Sequence, residues 1–197
     1  MPKGFYIDPV ITFDVTKMQE ALKEVDSRVA RQSPLGERDI NAICLTQIPG
    51  DPNSITGGNV RGLFWTKPDS TYEEVQREEV IDEEKYSEFV KLFEDTYFKE
   101  MYDTLTEKYK LGRVRLLWKL PRTTLSWHRD PEPRLHIPIV SNYGARMCVD
   151  KVVHHMPADG HVWITDNTKY HNAFNGGEED RVHLVATVLD CDMSIFE

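Results

Sequence analysis

Residues 127–138 read WHRDPEPRLHIP, and the pattern of this stretch decides the fold that we predict. In a β-strand, side chains two residues apart point to the same face. A strand over 123–130 therefore places His128 and Asp130 on one face, with Leu125 among the apolar side chains on the other. A polar face opposite an apolar face is typical of a site inside a β-roll. His128 and Asp130 are therefore candidate ligands of one metal ion.

The next predicted strand, 134–140, has a similar arrangement. Arg134 and His136 share a face, and burying an arginine there is costly unless an anion pairs with it. The alternative is an arginine at the rim, with its charged end in water.

A second stretch, 170–183, carries matching residues. His171 lies 41 residues beyond Asp130, in another short predicted strand. Arg181 follows ten residues later at the start of the last apolar strand, where it shares a face with His183. This apolar strand therefore begins with a cation, as the strand at Arg134 does.

Short strands separated by Pro, Gly and Asn follow one another after Gly112, which predicts an antiparallel sandwich or barrel. We predict a single domain over 1–197, with helical and loop support in 1–110 and a β-roll catalytic core in 111–190. After a strand that begins at Val114, we expect strands at about 123–128, 134–140, 146–149, 152–155, 161–164, 170–174 and 182–189.

The N-terminal part is more varied in its pattern. We expect an edge strand in 1–13, a helix over 16–31 that begins with a Thr16–Gln19 capping box, and a strand over 43–48. The stretch 49–80 is rich in turn residues and has two equal interpretations, a plain surface excursion or a loop that contacts substrate. Its Trp65, and Arg146 further along the chain, are candidates for substrate contact. Apolar side chains at helical spacing predict one long helix over 82–109.

Charged side chains suggest two solvated surfaces. Arg113, Arg115 and Lys119 alternate with apolar residues, which we interpret as the solvated face of a half-buried strand. The acidic run from Glu73 to Glu84 we interpret as the solvated start of the long helix.

Composition limits the classes of function. The net charge of −9 disfavours tight binding to a nucleic-acid backbone. Three widely spaced cysteines indicate reduced thiols rather than a disulfide framework or a zinc cluster. No apolar run has the length of a membrane span or of a signal-peptide core, so we expect a cytoplasmic protein with no membrane partner.

Two histidines and one carboxylate form the ligand set of non-haem Fe(II) oxygenases. With the late Arg181, the pattern His128-x-Asp130 and His171 resembles the 2-oxoglutarate-dependent Fe(II) dioxygenases. Arg134-Leu135-His136 narrows the resemblance to the aspartyl/asparaginyl β-hydroxylase family, which includes hydroxylases of free proline. The animal members that modify protein Asp and Asn residues lack the carboxylate ligand, whereas this chain keeps Asp130 and is similar to the three-ligand bacterial-type members.

The resemblance implies a mainly β fold with supporting helices (α+β), a double-stranded β-helix of the jelly-roll or cupin-like kind. It implies Fe(II), 2-oxoglutarate and O2 as cofactor and cosubstrates, with succinate and CO2 as coproducts and an amino acid, free or in a peptide, as substrate. It also implies residue roles: iron ligands His128, Asp130 and His171, and 2-oxoglutarate contacts Arg134, His136, Arg181 and His183.

Other functions stay open at this point. The same chemistry on another small metabolite is one, and a cupin-like metal-binding module without redox turnover is another. A nucleic-acid demethylase of similar fold is disfavoured by the acidic charge balance. The cations at Arg134 and Arg181 favour an oxygenase, because a plain metal-binding module needs no inward-facing cation. The sequence does not predict the oligomeric state.

Overall fold

A computed structural model describes residues 2–31, 40–58 and 62–197 of the chain. Two α-helices precede most of the sheet structure, α1 (Val15–Arg28) and α2 (Tyr97–Thr106). The strands are β1 (Phe5–Thr12), β2 (Ile40–Cys44), β3 (Thr46–Gln47), β4 (Phe64–Thr66), β5 (Val75–Arg77), β6 (Glu88–Phe89), β7 (Leu111–Lys119), β8 (Thr123–Thr124), β9 (His128–Arg129), β10 (Arg134–Val140), β11 (Ala145–Val149), β12 (Val152–His154), β13 (His161–Thr165), β14 (His171–Asn175) and β15 (Arg181–Val188). Short 3-10 helices lie at Pro52–Gly58, Glu83–Lys85, Lys91–Phe93 and Met193–Phe196.

The larger sheet has the strand order β1-β13-β10-β15-β7-β2, and each of these pairs is antiparallel. Its outer strands, β1 and β2, come from the N-terminal part of the chain. The predicted edge strand in 1–13 is therefore confirmed. One face of the central strands β10, β15 and β7 lines a cavity.

The smaller sheet has the order β12-β11-β14-β9-β4-β5, with β8 also paired to β14. Side chains of both sheets line one cavity, so the sheets face each other across it. Two facing antiparallel sheets with helices outside form a double-stranded β-helix, as predicted. A third, two-stranded pairing joins β3 to β6.

The main core lies on the outer face of the larger sheet, under the two helices. Alternation puts every second side chain of β7, β10 and β15 on this face, where burial of apolar area stabilises the fold. The helices contribute their apolar stripes from the other side. The buried residues include Val114, Leu116, Leu135, Ile137, Val182 and Leu184 from the strands, and Met18, Leu22, Val25, Phe98, Met101 and Leu105 from the helices.

Helix α1 begins one residue earlier than predicted, and its cap differs. The Asp14 carboxylate accepts hydrogen bonds from the backbone N–H groups of Thr16 and Lys17, at 2.8 and 3.1 Å. Asp14 is therefore the N-cap, and the predicted capping box at Thr16 is wrong. Aspartate and threonine both cap helices well, so the pattern alone did not decide between them.

The long helix predicted over 82–109 is also wrong. Only Tyr97–Thr106 is α-helical, and the preceding stretch forms 3-10 turns and the short strand β6. Its apolar side chains are nevertheless buried, as in Phe89, Val90 and Phe93. They fill the core from an irregular segment, so the spacing predicted burial correctly and the element type incorrectly. The strand predicted at 43–48 is likewise split between β2 and β3.

Within the described ranges, no helix combines the length and the apolar character that crossing a bilayer requires.

Candidate metal and cosubstrate site

Three potential metal ligands meet at one end of the smaller sheet. His128 on β9 lies opposite His171 on β14 in antiparallel register, and Asp130 directly follows β9. The distance from Asp130 Oδ1 to His128 Nε2 is 3.9 Å, and that from Asp130 Oδ2 to His171 Nε2 is 3.8 Å. One ligand atom from each residue lies within 4.8 Å of the others. The three residues that the sequence singled out are therefore together.

Backbone carbonyls set the orientation of both imidazoles. His128 Nδ1 lies 2.6 Å from the Ser126 carbonyl, and His171 Nδ1 lies 3.0 Å from the Lys169 carbonyl. A carbonyl only accepts, so each Nδ1 carries the hydrogen and donates it. Each Nε2 then keeps its lone pair, which faces Asp130. A histidine whose second nitrogen is held in this way is the usual form of a metal ligand.

Asn167 is a site residue that the sequence analysis missed. Its side-chain amide nitrogen lies 2.8 Å from His171 Nε2, and its amide oxygen accepts a hydrogen bond of 2.6 Å from the Thr165 hydroxyl. Its backbone carbonyl accepts from the Asp130 N–H at 2.8 Å. It thus connects two of the three ligands. An asparagine in a turn has many uses, and no spacing rule marks this one.

The charges around the cluster favour the metal-binding forms of the ligands. Burial lowers the pKa of His171 to about 4, so its imidazole is neutral at neutral pH. Burial alone would raise the pKa of Asp130, but the nearby Arg134, His171 and His128 outweigh it and leave that pKa below its ordinary value. Asp130 is therefore a carboxylate, and it faces the Nε2 atoms of both histidines.

A cavity of about 170 Å³ extends from this cluster between the two sheets. The larger sheet contributes β7, β10 and β15, and the smaller sheet contributes β9, β11 and β14. The side chains that carry charge or a ligand atom in its wall are Arg113, Arg115, Lys119, His128, Asp130, Arg134, His136, His171 and Arg181.

Arg181 is a buried cation in this wall. It starts β15 opposite Lys119 of β7, and its Nη2 donates a hydrogen bond of 2.7 Å to His183 Nδ1. Burial lowers its pKa to about 9. Within the described residues no carboxylate forms an ion pair with it. A guanidinium in that position is suited to bind an anion that enters the cavity.

His136 and His183 are buried beside it and uncharged. Desolvation lowers the pKa of each well below the ordinary histidine value, and the charge of Arg181 adds to this. Both nitrogens of His136, and Nε2 of His183, have no hydrogen-bond partner among the described residues. Buried polar atoms without partners are uncommon in folded proteins, and they indicate a missing ligand or water.

Arg134 contacts the ligand cluster directly. Its Nη2 lies 3.3 Å from Asp130 Oδ2, and its Nη1 lies 3.3 Å from the Glu132 carboxylate. The alternative of an arginine that extends into water at the rim does not apply, because Arg134 is 9% exposed.

The prediction that the basic face of β7 is solvated is wrong. Arg113, Arg115 and Lys119 were predicted on a solvated face, but they line the cavity, and Arg113 and Lys119 are at most 2% exposed. Alternation identifies two faces of a strand without telling which one meets water. Here one face packs on helices and the other encloses the cavity, so neither face is a solvated surface.

The prediction that Glu83 is solvated is also wrong. It was predicted at a solvated helix start, yet it is 6% exposed and forms a buried ion pair with Arg113 at 2.7 Å.

Part of the 49–80 stretch lies at the site. Gly62, Leu63 and Phe64 line the cavity, and the Phe64 ring meets the His128 imidazole edge-on at 5.7 Å between centroids. Trp65 packs outside, where the Arg129 guanidinium lies 4.1 Å from its ring. Of the two interpretations of this stretch, contact with the site is supported for residues 62–64.

The other histidines lie elsewhere. His154 packs against the rings of Phe5 and Trp163, and His155 bonds through Nδ1 to the Ala145 carbonyl at 2.9 Å. His161 lies 2.9 Å from the Asp159 carboxylate. None of the three is in the wall of the cavity that the described residues form.

Comparison with known proteins agrees with this geometry. The family model of aspartyl/asparaginyl β-hydroxylases matches residues 78–190, more than half of the chain. No curated protein matches.

Two solved structures show the same fold. A 2-oxoglutarate-Fe(II) oxygenase family protein from Burkholderia pseudomallei is 13% identical, with a TM-score of 0.55 over 93% of this chain and 83% of that one. A prolyl-4-hydroxylase from Pseudomonas putida is 10% identical, with a TM-score of 0.51 over 96% of this chain and 94% of that one. The chain therefore belongs to the aspartyl/asparaginyl β-hydroxylase family, and it is a 2-oxoglutarate- and Fe(II)-dependent oxygenase that uses O2.

Proposed function

We propose that this chain hydroxylates an amino acid, free or within a peptide, with His128, Asp130 and His171 as the iron ligands. The observation that carries the proposal is a cluster of three ligand atoms within 4.8 Å, in the wall of a cavity that also holds buried arginines. Two imidazoles and a carboxylate fit Fe(II) and leave coordination positions open for a cosubstrate.

The protein prepares this cluster for a metal ion. The carbonyls of Ser126 and Lys169 hold each Nδ1–H, so both Nε2 lone pairs are available without loss of a proton. Asn167 donates to His171 Nε2 when no metal is bound, which satisfies that nitrogen in a buried position. Fe(II) held there supplies the O2 activation that couples decarboxylation of 2-oxoglutarate, to succinate and CO2, with hydroxylation of substrate.

We assign the far carboxylate of 2-oxoglutarate to Arg181. Its guanidinium is buried without a carboxylate partner, and a dianion would offset that cost. His183 accepts a hydrogen bond from Arg181 Nη2 and so fixes the direction of the guanidinium. Arg134 and His136 stand on β10 between Arg181 and the ligand cluster, which suits contact with the near end of the cosubstrate.

The proposed substrate class is supported by the family description, which names aspartyl and asparaginyl residues, and by the fold shared with a prolyl-4-hydroxylase.

The test is anaerobic titration of the purified protein with Fe(II) and 2-oxoglutarate. The Fe(II) chelate of 2-oxoglutarate is expected to give a weak visible absorption band at about 500 nm. Wild type should show the band, Asp130→Ala should lose it, and Arg181→Met should require far more 2-oxoglutarate to reach it. Arg122→Met is the control, because Arg122 forms only an exposed ion pair with Glu178.

Equal 2-oxoglutarate affinity in wild type and Arg181→Met would remove the assignment of Arg181. Substrate is then sought by succinate release against amino acids and short peptides. The amino-acid proposal would be contradicted if another small metabolite caused succinate release and no amino acid or short peptide did.

A further inference from the structure

The Nε2 atom of His171 has a single lone pair, and two groups require it. The Asn167 amide nitrogen lies 2.8 Å from this atom and donates a hydrogen bond to it. A divalent metal binds the lone pair of an imidazole nitrogen at about 2.1 Å. On that line the metal and the amide nitrogen would be only about 0.7 Å apart. The amide and the metal therefore exclude each other at His171.

The two histidines of the cluster differ in this respect. Both donate from Nδ1 to a backbone carbonyl, so Nε2 is the acceptor in each. Within the described part of the chain, no donor bonds to Nε2 of His128, which faces the Asp130 carboxylate at 3.9 Å. The side chain of His171 is more deeply buried, at 4% exposed against 15% for His128. A buried acceptor without a partner is costly, so His171 depends on the Asn167 amide.

The Thr165 hydroxyl holds the amide in this orientation. It donates a hydrogen bond of 2.6 Å to Asn167 Oδ1, which turns the amide nitrogen toward His171. The Arg134 carbonyl lies 3.3 Å from the same hydroxyl and can accept its hydrogen instead. The amide can therefore turn away from His171 and leave the buried Thr165 donor with a partner.

The backbone of Asn167 is fixed independently of its side chain. Its carbonyl accepts from the Asp130 N–H at 2.8 Å, and its N–H donates to the Thr165 carbonyl at 2.9 Å. A turn of the side chain leaves both of these hydrogen bonds in place. The amide can thus move for a metal ion while Asp130 stays where it is.

We propose that Asn167 is a positioning residue that sets the metal affinity of the cluster, because its amide competes with the metal for His171 Nε2. The amide stabilises the metal-free protein and holds the imidazole in place, and it thereby weakens metal binding. This effect is opposite in sign to that of an ordinary supporting residue, whose loss lowers metal affinity. The inference rests on the proposed function, because it takes His171 as a metal ligand.

The experiment compares two variants with wild type. Asn167→Ala removes the amide and keeps both backbone hydrogen bonds of this residue. Thr165→Val keeps the amide and removes the hydroxyl that orients it. The control is Asn142→Ala, which removes an amide that bonds to Asn175 outside the ligand cluster.

Three quantities are measured on each protein. Calorimetry gives the affinity for Mn(II) in the absence of 2-oxoglutarate, and urea denaturation gives the stability of the metal-free protein. The ¹⁵N resonance of His171 Nε2 in the metal-free protein reports whether its lone pair accepts a hydrogen bond.

Asn167→Ala should bind Mn(II) about five- to tenfold more tightly than wild type, the factor that corresponds to one hydrogen bond. Its metal-free form should unfold at a lower urea concentration. Its His171 Nε2 resonance should move from the wild-type position toward that of a nitrogen with a free lone pair. Thr165→Val should bind Mn(II) more tightly than wild type by a smaller factor. Asn142→Ala should be less stable than wild type and bind Mn(II) with the same affinity.

Weaker or unchanged Mn(II) binding by Asn167→Ala would overturn the proposal, since weaker binding is the result expected for loss of a supporting residue. An unchanged Nε2 resonance would also overturn it, because the amide would then not occupy the lone pair.

Asp130→Ala, titrated in the same series, tests the proposed function separately. If this variant binds Mn(II) as wild type does, the proposed metal site fails, and the role of Asn167 fails with it. If Asp130→Ala loses the metal and Asn167→Ala matches wild type, only the role of Asn167 is overturned.

Discussion

At the scale of single residues, the buried pair of Glu83 and Arg113 gives a sharp expectation. Replacing Glu83 with Met leaves the Arg113 guanidinium buried without this carboxylate. Breaking a buried ion pair from one side costs about 3–5 kcal/mol. We therefore expect Glu83→Met to lower the free energy of unfolding by about that amount, measured by urea denaturation.

The matched control is the double variant Glu83→Met/Arg113→Met. It removes both charges, so most of the lost stability should return, since a buried pair is often replaceable by apolar residues. A double variant as unstable as Glu83→Met would show that the charge of Arg113 is not the cause.

Gly160 is a second residue whose role the structure explains. Its φ is +88°, and a Cβ added there would lie 2.2 Å from the Phe13 carbonyl oxygen. The same two residues are joined by a hydrogen bond of 3.0 Å from Phe13 N–H to the Gly160 carbonyl. We expect Gly160→Ala to destabilise the protein by about 3 kcal/mol or more, from left-handed strain plus displacement of this contact.

Gly50→Ala separates the two causes. Gly50 has a φ of +74°, but nothing lies within 4 Å of an added Cβ. It should cost only the strain, about 1 kcal/mol. Equal losses in the two variants, by thermal or urea denaturation, would contradict the role of the Phe13 contact.

At the scale of elements, Asp8 ties the edge strand β1 to the chain just after α2. Its buried carboxylate accepts from Lys108 Nζ at 2.6 Å, from the Tyr109 hydroxyl, and from the N–H groups of Val10 and Ile11. Burial alone would raise its pKa, but these hydrogen bonds outweigh it and lower the pKa from 3.8 to about 2.

A carboxylate whose pKa is lowered by folding stabilises the folded state at pH values above its ordinary pKa. This stability is lost as the pH falls toward about 2. Asp8→Asn should therefore cost about 2 kcal/mol at pH 7, measured by urea unfolding, and clearly less at pH 3. Asp69→Asn, at an exposed loop position, should change neither value. A loss for Asp8→Asn that is the same at both pH values would contradict this origin.

Elements differ in how well the sequence predicts them. Most strands after Gly112 lie close to their predicted places, because alternation and turn residues mark their ends. The strand predicted over 123–128 is the exception, since it is split into the two-residue strands β8 and β9. The segment before α2 was misjudged, because Phe89 and Phe93 at helical spacing are buried equally well from 3-10 turns and a two-residue strand. Periodicity reports which side chains are buried, and tertiary contacts decide the backbone form.

The same limit applies to the site at the scale of the whole molecule. His128, Asp130 and His171 were predictable as a group, because shared strand faces and residue type point to one metal. The inward direction of Arg115 was not, because it depends on which of two buried faces encloses the cavity. Asn167 was not predictable either, since its role arises only where the turn before β14 meets Asp130.

At the scale of the whole molecule, the fold is expected to gain stability when the cavity is filled, because a ligand that binds only the folded state shifts the folding equilibrium toward it. With Mn(II) present, 2-oxoglutarate at 100 times its Kd should add about 2.7 kcal/mol to stability. For a chain of this length that is a rise in Tm of about 5–10 °C. Calorimetric scans measure it directly.

Arg181→Met should lose most of that rise, whereas Arg122→Met, at an exposed ion pair, should keep it. The apo form of Arg181→Met should be at least as stable as wild type, since an unpaired buried cation is removed. A full rise in Arg181→Met would mean that the dianion binds elsewhere. An apo variant much less stable than wild type would mean that Arg181 supports the fold by itself, without its proposed anion.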